Sequence, residues 1–583
     1  MKDYLKIVNI RSLFLAAMIL AVAVGIVYKL FVIAFIDGPA YRELANKYTI
    51  KTFKVKAARG NIFSEDGQVL AVTVPLYTVH FDPMVIRSDK DYYKNLKKLS
   101  AGLAGIVGHD YRYWYNKLSK ARKRKDRYVF IAKNLTFKQF EQLKKLPLLR
   151  RGRIKGGLIY EIKSTRKYPF GNMLKRTIGI STPAAKYGLE GAYDKILSGT
   201  DGERLKHKIR ANAWKPVNNF NEKEPVDGPD LITTINMQMQ DIAHQTLLNQ
   251  LKKYKADHGI LVLMEVKTGA VKAMVNLKRN ASGNYSETLN YAIFEKFEPG
   301  SLFKTFTYLA LLEDNKIDTG LTFELFSNRW KYYDRHITDS HHYSHKKMTV
   351  AEAFSQSSNI VTAKMVDSFY RRSPSQFTNR LITGFGLGNK LNLSIKGEAD
   401  PLIPTPGSDK WKGYKLGMMS FGYTVGLTPI QILTYYNGIA NGGKVLKPYF
   451  VKEIRKNGQI IQSTDPQVIN SSMASKKNIE IMQKLMRKVV REGTARNINS
   501  PYVQIAGKTG TTQTDYWTGH TQYIASFAGF FPYEDPTYSM IVVVHKPDPK
   551  TGYYGNVVAG KVFQEVAEQV YGITPRKLIV KAE

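Results

Sequence analysis

Apolar and polar positions divide the 583-residue chain into three zones. Leu13 to Phe35 is one long apolar stretch holding only Tyr28 and Lys29 as polar breaks. Its length predicts a single transmembrane helix over 13–36, preceded by a tail of residues 1–12. Lys29 lies near enough to one end to snorkel. Residues 37–225 alternate short apolar runs with basic helical segments, a non-catalytic, β-rich block. Residues 226–583 read differently. Leu231-Ile-Thr-Thr-Ile235 predicts a strand, Met237 to Leu248 a helix, and Ile260 to Val275 an apolar hairpin turning at Lys267-Thr-Gly269. A helical middle follows. Thr428-Pro429 opens one helix that stops at Gly442-Gly443, and Ile479, Met482, Met486 and Val489 line one face of another. Tyr523 to Phe531 and Ser539 to Val544 are closing strands before a last helix, Val557 to Val570. Strands at both ends of a helical middle predict an α+β domain, one sheet with helices on its faces.

Three short strings change this from a fold into a chemistry. Ser301-Leu-Phe-Lys304 follows the chain break Glu298-Pro299-Gly300 and starts an apolar helix. Ser301 and Lys304, at i and i+3, share a face. A nucleophile and a base one turn apart, with the N–H groups of a helix start beside them, suit acyl transfer through an oxyanion. Ser357-Ser-Asn359 lies between a helix opened by the capping box Thr349-Val-Ala-Glu352 and the run Ile360 to Met365. Lys508-Thr-Gly510 ends an apolar run and precedes the closing strands, which places a lysine on a strand edge. Each string has copies elsewhere: Ser164/Lys167, Ser344/Lys347, Ser282/Asn284, Lys267-Thr-Gly269 and Lys550-Thr-Gly552. Those copies fall in turns and loops, so context and chain order select the set at 301, 357 and 508.

With those residues in place, the chain resembles a class B penicillin-binding protein, a monofunctional peptidoglycan DD-transpeptidase, most closely the division-type FtsI branch. The likeness extends to Arg59-Gly-Asn-Ile-Phe63, Tyr168-Pro-Phe-Gly171, Gly188-Leu-Glu-Gly-Ala-Tyr193, Leu427-Thr-Pro-Ile-Gln431 and Glu492-Gly-Thr-Ala495. Ser64-Glu65, where an Asp-Arg pair is common, and Tyr423 depart from the pattern. The resemblance implies the penicillin-recognising serine transpeptidase fold, a five-stranded antiparallel sheet beside an all-helical part, after an elongated pedestal over 37–225. It implies Ser301 as nucleophile, Lys304 as its base, Ser357 as proton relay and Asn359 as a substrate hydrogen-bonder. Lys508 and Thr509 would hold the substrate carboxylate, Gly510 would let substrate backbone approach, and Thr511 would join Ser301 in the oxyanion hole. The implied reaction cross-links stem peptides with release of D-Ala in septal wall synthesis, and β-lactams would acylate the same serine. An elongation-type transpeptidase, a DD-carboxypeptidase and a membrane β-lactam sensor share the strings. Implied partners are stem peptides on lipid-linked glycan, an FtsW-type glycosyltransferase and divisome proteins, with the catalytic domain outside the bacterial cytoplasmic membrane.

Charge and composition add limits. The formal net charge is +39, with sixteen Lys or Arg against Asp126 and Glu141 between Tyr111 and Gly156. A basic face with interleaved aromatics invites a nucleic-acid reading. The anchor and the three strings oppose it, and no zinc-finger, RNP or P-loop string is present. Attraction to anionic lipid, glycan or an acidic partner fits better. There is no cysteine, hence no disulfide or thiolate chemistry. His336, His341, His342 and His345, with Asp334 and Asp339 nearby, could hold a metal, but their turn-rich loop argues for leaving metal and cofactor out. Lysines and arginines crowd the C-terminal flank of the span (Arg42, Lys47, Lys51, Lys54, Lys56), so charge alone does not orient it.

Overall fold

The structure, a computed structural model, describes residues 2–575 apart from 42, 44–49, 211–212, 217–222, 326, 341–342, 344–346, 410 and 515–520. The chain forms two compact units, residues 1–59 with 198–228, and residues 60–197 with 229–583.

In the smaller unit the helix Lys2–Phe31 continues into a wider turn, Val32–Ile36. Ile10–Ile36 has mean hydropathy 2.7 and is not buried. Its 27 residues reach roughly 40 Å at 1.5 Å per residue, enough to cross a bilayer core with tilt. Length and composition fit the expected membrane anchor. The unit also holds an antiparallel sheet in which Gly202–Arg210 pairs with Ile50–Val55 and with Ala213–Pro216. The Ala58 N–H donates to Asp227 (2.8 Å) and Lys56 pairs with Asp201 (2.8 Å), tying the two chain segments together.

The larger unit has two apolar cores. The lesser core lies under strands Val69–Phe81, Val129–Leu135 and Leu158–Lys167, where Phe81 and Leu158 meet the helices Asp89–Val107 and Tyr111–Lys123. Tyr92, Leu96, Leu99 and Leu103 recur every three to four residues, and Trp114 and Leu118 face them. These strands continue into a seven-stranded sheet ordered Gln459–Ser463, Val451–Lys456, Asp230–Thr233, Ile62–Phe63, Val69–Phe81, Val129–Leu135, with Leu158–Lys167 also on Val69–Phe81. Leu231 and Ile232 pair in parallel with Ile62 and Phe63. The boundary placed at 225/226 from sequence is thus spanned by one sheet. Arg166 adds a largely buried ion pair to Glu190 (2.6 Å), the acid of Gly188-Leu-Glu-Gly-Ala-Tyr193.

The larger core surrounds an antiparallel sheet ordered Tyr285–Ser286, Val271–Arg279, His258–Glu265, Tyr538–His545, Gln522–Phe531, Ala506–Thr514. Five of these strands are the expected ones, and the sixth is a two-residue extension at the far edge. His258–Glu265 and Tyr538–His545 are buried nearly throughout, as central strands covered on both faces must be. The helices Met237–Lys253 and Gly555–Ile573 pack together over the sheet, and Pro429–Ala440, every residue buried, packs on its central strands. Thr428 caps that helix with Gln431 in a reciprocal box, as Thr349 and Glu352 do for Val350–Ser355. The helical part between the strands includes Asn359–Tyr370, Tyr414–Ser420 and Lys476–Arg491, whose Ile479, Met482, Met486 and Val489 face the core as expected.

Candidate active site

Ser301 lies in a single 3₁₀ turn, Gly300–Leu302, immediately before the helix Lys304–Glu313. The turn is held by close backbone contacts. Gly300 N–H donates to the Gly422 carbonyl (3.2 Å). A Cβ on Gly422, at φ +89°, would stand 2.1 Å from the Gly300 oxygen, so only glycine fits there. Tyr436 Oη donates to the Leu302 carbonyl (2.8 Å), and Glu298 accepts from the Thr424 N–H (2.8 Å), fastening the Gly-rich segment to the nucleophile turn. The Ser301 hydroxyl itself is partly exposed and has no recorded partner among the described residues.

Lys304, one turn on from Ser301, is fully buried. Its Nζ donates to the Ser357 carbonyl (2.5 Å), the Ser357 hydroxyl (3.2 Å) and Asn359 Oδ1 (2.7 Å). Lys508 Nζ, equally buried, reaches the same Ser357 hydroxyl at 2.9 Å. Three strings separated by more than fifty residues each therefore meet on one oxygen. Burial drives the Lys304 amine down to about 7, with the Asp339 carboxylate opposing. Burial also drives Lys508 well below the ordinary lysine range, and the charge on Lys304 pushes it further.

Ser357 can serve both lysines because its backbone is left-handed, φ +62°, an uncommon conformation for a residue with a side chain. Asp339, not singled out as a site residue from sequence, holds this bend. Its carboxylate accepts from the Ser358 hydroxyl (2.7 Å) and from the Asn359 and Ile360 N–H groups at the start of Asn359–Tyr370. Asn359 is committed at both ends, with Nδ2 donating to the Thr338 carbonyl (2.8 Å). By sequence Asp339 lies beside the histidine cluster. His341, His342 and His345 lie outside the described residues, and His336 is exposed on Arg335–Thr338.

The strand Ala506–Thr514 is the outer strand of its sheet and runs past the nucleophile turn. Thr509 shares a hydroxyl contact with Thr494 (2.9 Å), and Thr511 accepts from the Gly555 N–H (2.9 Å). Gly510 also has a packing reason. A Cβ there would meet Ser526 Oγ at 2.3 Å, Leu302 Cγ at 3.1 Å and the Pro299 oxygen at 3.2 Å, so its bareness admits the nucleophile turn. Ser301, Ser357, Asn359, Thr509 and Thr511 line one cavity of about 210 Å³, together with Tyr343, Tyr423, Thr494 and Tyr554 to Val557. Sequence reasoning missed the wall at 554–557, which follows the loop carrying Lys550 and has no distinctive string. The rival copies are elsewhere: Ser164 and Lys167 on an exposed strand, Ser282/Asn284, Lys267 and Lys550 in exposed turns, with Ser344 outside the described residues.

A second ionisable cluster, His258, Glu295 and His545, brings its possible ligand atoms within 4.8 Å. His258 is engaged at both ring nitrogens, with Asp257 and Glu295 at 2.7 Å each. The two imidazoles stack at 4.0 Å, so their nitrogens run alongside each other and do not converge. Burial works to lower His258, but its two carboxylates win and raise it; burial and His258 hold His545 down to about 3. His258 is held between two carboxylates beneath the stacked His545 ring, a poor cage for a metal.

Comparison with known proteins places the chain in a family. Residues 259–568, more than half of the chain, match the penicillin-binding protein transpeptidase domain, and 54–233 match the penicillin-binding protein dimerisation domain. The probable peptidoglycan D,D-transpeptidase PenA of Neisseria meningitidis is 25% identical over 93% of this chain and 89% of its own length. Peptidoglycan D,D-transpeptidase FtsI of Escherichia coli is 26% identical over 88% of this chain and 83% of its own. Among solved structures, penicillin-binding protein 2X from Streptococcus thermophilus superposes with a TM-score of 0.73 at 22% identity, covering 90% of this chain and 80% of that one. With the dimerisation domain ahead of the transpeptidase domain, the chain belongs to the class B penicillin-binding proteins and is a penicillin-binding serine transpeptidase.

Proposed function

We propose that this peptidoglycan D,D-transpeptidase works by two-step acyl transfer, with Ser301 as nucleophile and septal wall as its product. The observation that carries the chemistry is the sharing of the Ser357 hydroxyl by the Lys304 and Lys508 amines. Neutral Lys304 takes the Ser301 proton as Oγ bonds to the carbonyl carbon of the penultimate D-Ala. The N–H groups of Ser301 and Thr511 face the developing oxyanion. The C–N bond breaks, and Ser357 passes the proton to the departing D-Ala amine. A second stem's amine then displaces Ser301 from the ester and returns its proton by the same route.

Substrate binding and base activation are coupled in this arrangement. A carboxylate against Lys508 and Thr509 favours the charged form of Lys508, which burial otherwise suppresses. That charge, felt through Ser357, disfavours a second charge on Lys304, so an occupied anchor leaves the base neutral. Asn359, bonded to Lys304 and Thr338, holds the base and keeps one amide N–H for substrate.

A stem-peptide donor incubated with and without an acceptor amine tests the reaction. The expected product is two stem peptides joined by a new amide bond, with one D-Ala released per cross-link. Release of D-Ala into water at the same rate with no amide product would make it a carboxypeptidase. The septal part rests on the FtsI likeness, as does a partner glycosyltransferase of the FtsW type. A functional fluorescent fusion is expected at mid-cell, and uniform lateral signal would assign it to elongation.

A further inference from the structure

We infer that the lobe built on Val69–Phe81 and Tyr111–Lys123 carries a binding site for a compact phosphate-bearing anion, formed by Lys117, Lys120, Arg124 and Arg127. These four side chains line an open surface depression of about 430 Å³, together with Ala121, Asp126, Tyr128 and Val129. Lys117, Lys120 and Arg124 occupy one face of the helix and its C-terminal cap. Arg127 comes from the turn that leads into Val129–Leu135.

The cations are uncompensated. Three other basic side chains of this lobe do have carboxylate partners: Arg122 with Asp89, Lys144 with Glu141, Arg151 with Asp91. None of the four is in a recorded ion pair among the described residues, and Asp126 is the single carboxylate in the lining. Lys117 leans instead on the Trp114 ring (4.9 Å), which leaves its charge unneutralised. Like charges three and four residues apart on a helix repel. The helix C-terminus, with its partial negative charge, offsets only the last turn.

The clustering of the four cations around one depression favours one class of ligand. A flat bilayer is met best by a convex or planar basic face. A run of side-chain carboxylates carries one charge per residue, spread along a peptide. A phosphate places up to two charges and three acceptor oxygens at one point. Arginine forks match those oxygens in pairs, and lysines add point charges. The depression is within the size range of small-ligand sites. The inference does not depend on the chemistry at Ser301.

The test uses the full chain in nanodiscs of uncharged lipid, titrated calorimetrically with tripolyphosphate at fixed salt. Saturable binding is expected. K120Q/R124Q/R127Q is expected to weaken it at least tenfold, while K138Q/K145Q/R150Q, which removes three exposed charges from the same lobe, changes it less than twofold. Both variants should keep fluorescent-penicillin labelling, which reports a folded protein separately from phosphate binding. No saturable binding by the wild type overturns the site. So does an equal loss in the control variant, or equally tight binding of a hexaglutamate peptide. Displacement of tripolyphosphate by vesicles of phosphatidylglycerol supports a lipid-borne phosphate, and failure of displacement supports a soluble one.

Discussion

Ser301→Ala abolishes covalent labelling by a fluorescent penicillin, with acylation expected to fall by at least about 10⁴-fold, in the range seen when a catalytic nucleophile is removed. The size follows from what remains. The Lys304, Ser357 and Lys508 atoms that contact one another are untouched, and so is the cavity lining. Reversible binding should persist while no ester can form. Ser164 cannot take over, because it sits on an exposed strand paired to Pro75 with no buried lysine beside it. The Ser301 hydroxyl has no recorded bond to lose, so thermal stability should change by less than about 0.5 kcal/mol, as for a surface substitution. Stoichiometric labelling of the alanine variant would mean that another serine is the nucleophile.

Lys304→Met should lower the acylation rate by roughly 10²–10⁴-fold, the usual contribution of a positioned general base. The wild-type rate supplies the matching signature. With the amine held at about 7, the protonated form dominates below that pH and cannot accept the Ser301 proton. Acylation is therefore expected to fall tenfold per unit as pH drops below about 7, and the methionine variant should lack this limb. The Asp339 carboxylate opposes the depression of Lys304. Asp339→Asn should move the limb to lower pH, an effect that simple loosening of the 357–360 bend would not produce. Stability follows pH in the same direction as activity but over a higher window. The folded state holds Lys304 below its unfolded value near 10.4, so the unfolded chain binds more protons between the two and stability rises with pH across that window. At neutral pH the methionine variant should melt no lower than the wild type. A methionine variant with an unchanged pH profile would remove Lys304 from the base role.

The parts of the site that were legible in sequence are those whose chemistry lies in a short string. Ser301/Lys304, Ser357/Asn359 and Lys508/Thr509 converge because helix starts and an edge strand position them, and both kinds of element leave local marks such as the capping box at Thr349/Glu352. The anchor and the amphipathic face of Lys476–Arg491 are likewise read from periodicity. Asp339 was not legible in its actual role. Its partners begin nineteen residues away, and nothing local separates a carboxylate that caps a bend from one in a possible metal cluster. Gly510 was legible as a glycine but not for its packing reason, because the atoms that crowd it come from Ser526, Leu302 and Pro299. Long-range contact, not composition, set both outcomes.

The sheet that pairs Leu231 and Ile232 with Ile62 and Phe63 has a consequence for inheritance. A gene exchange joining a foreign segment at codon 226 would put a new strand against an old one and leave its hydrogen-bond ladder and apolar register to chance. Ile62 and Leu231 lie in one core, so sequence drift on one side of the seam selects for matching drift on the other. The segment around 62 and the catalytic half are expected to pass between lineages together, as a single heritable block.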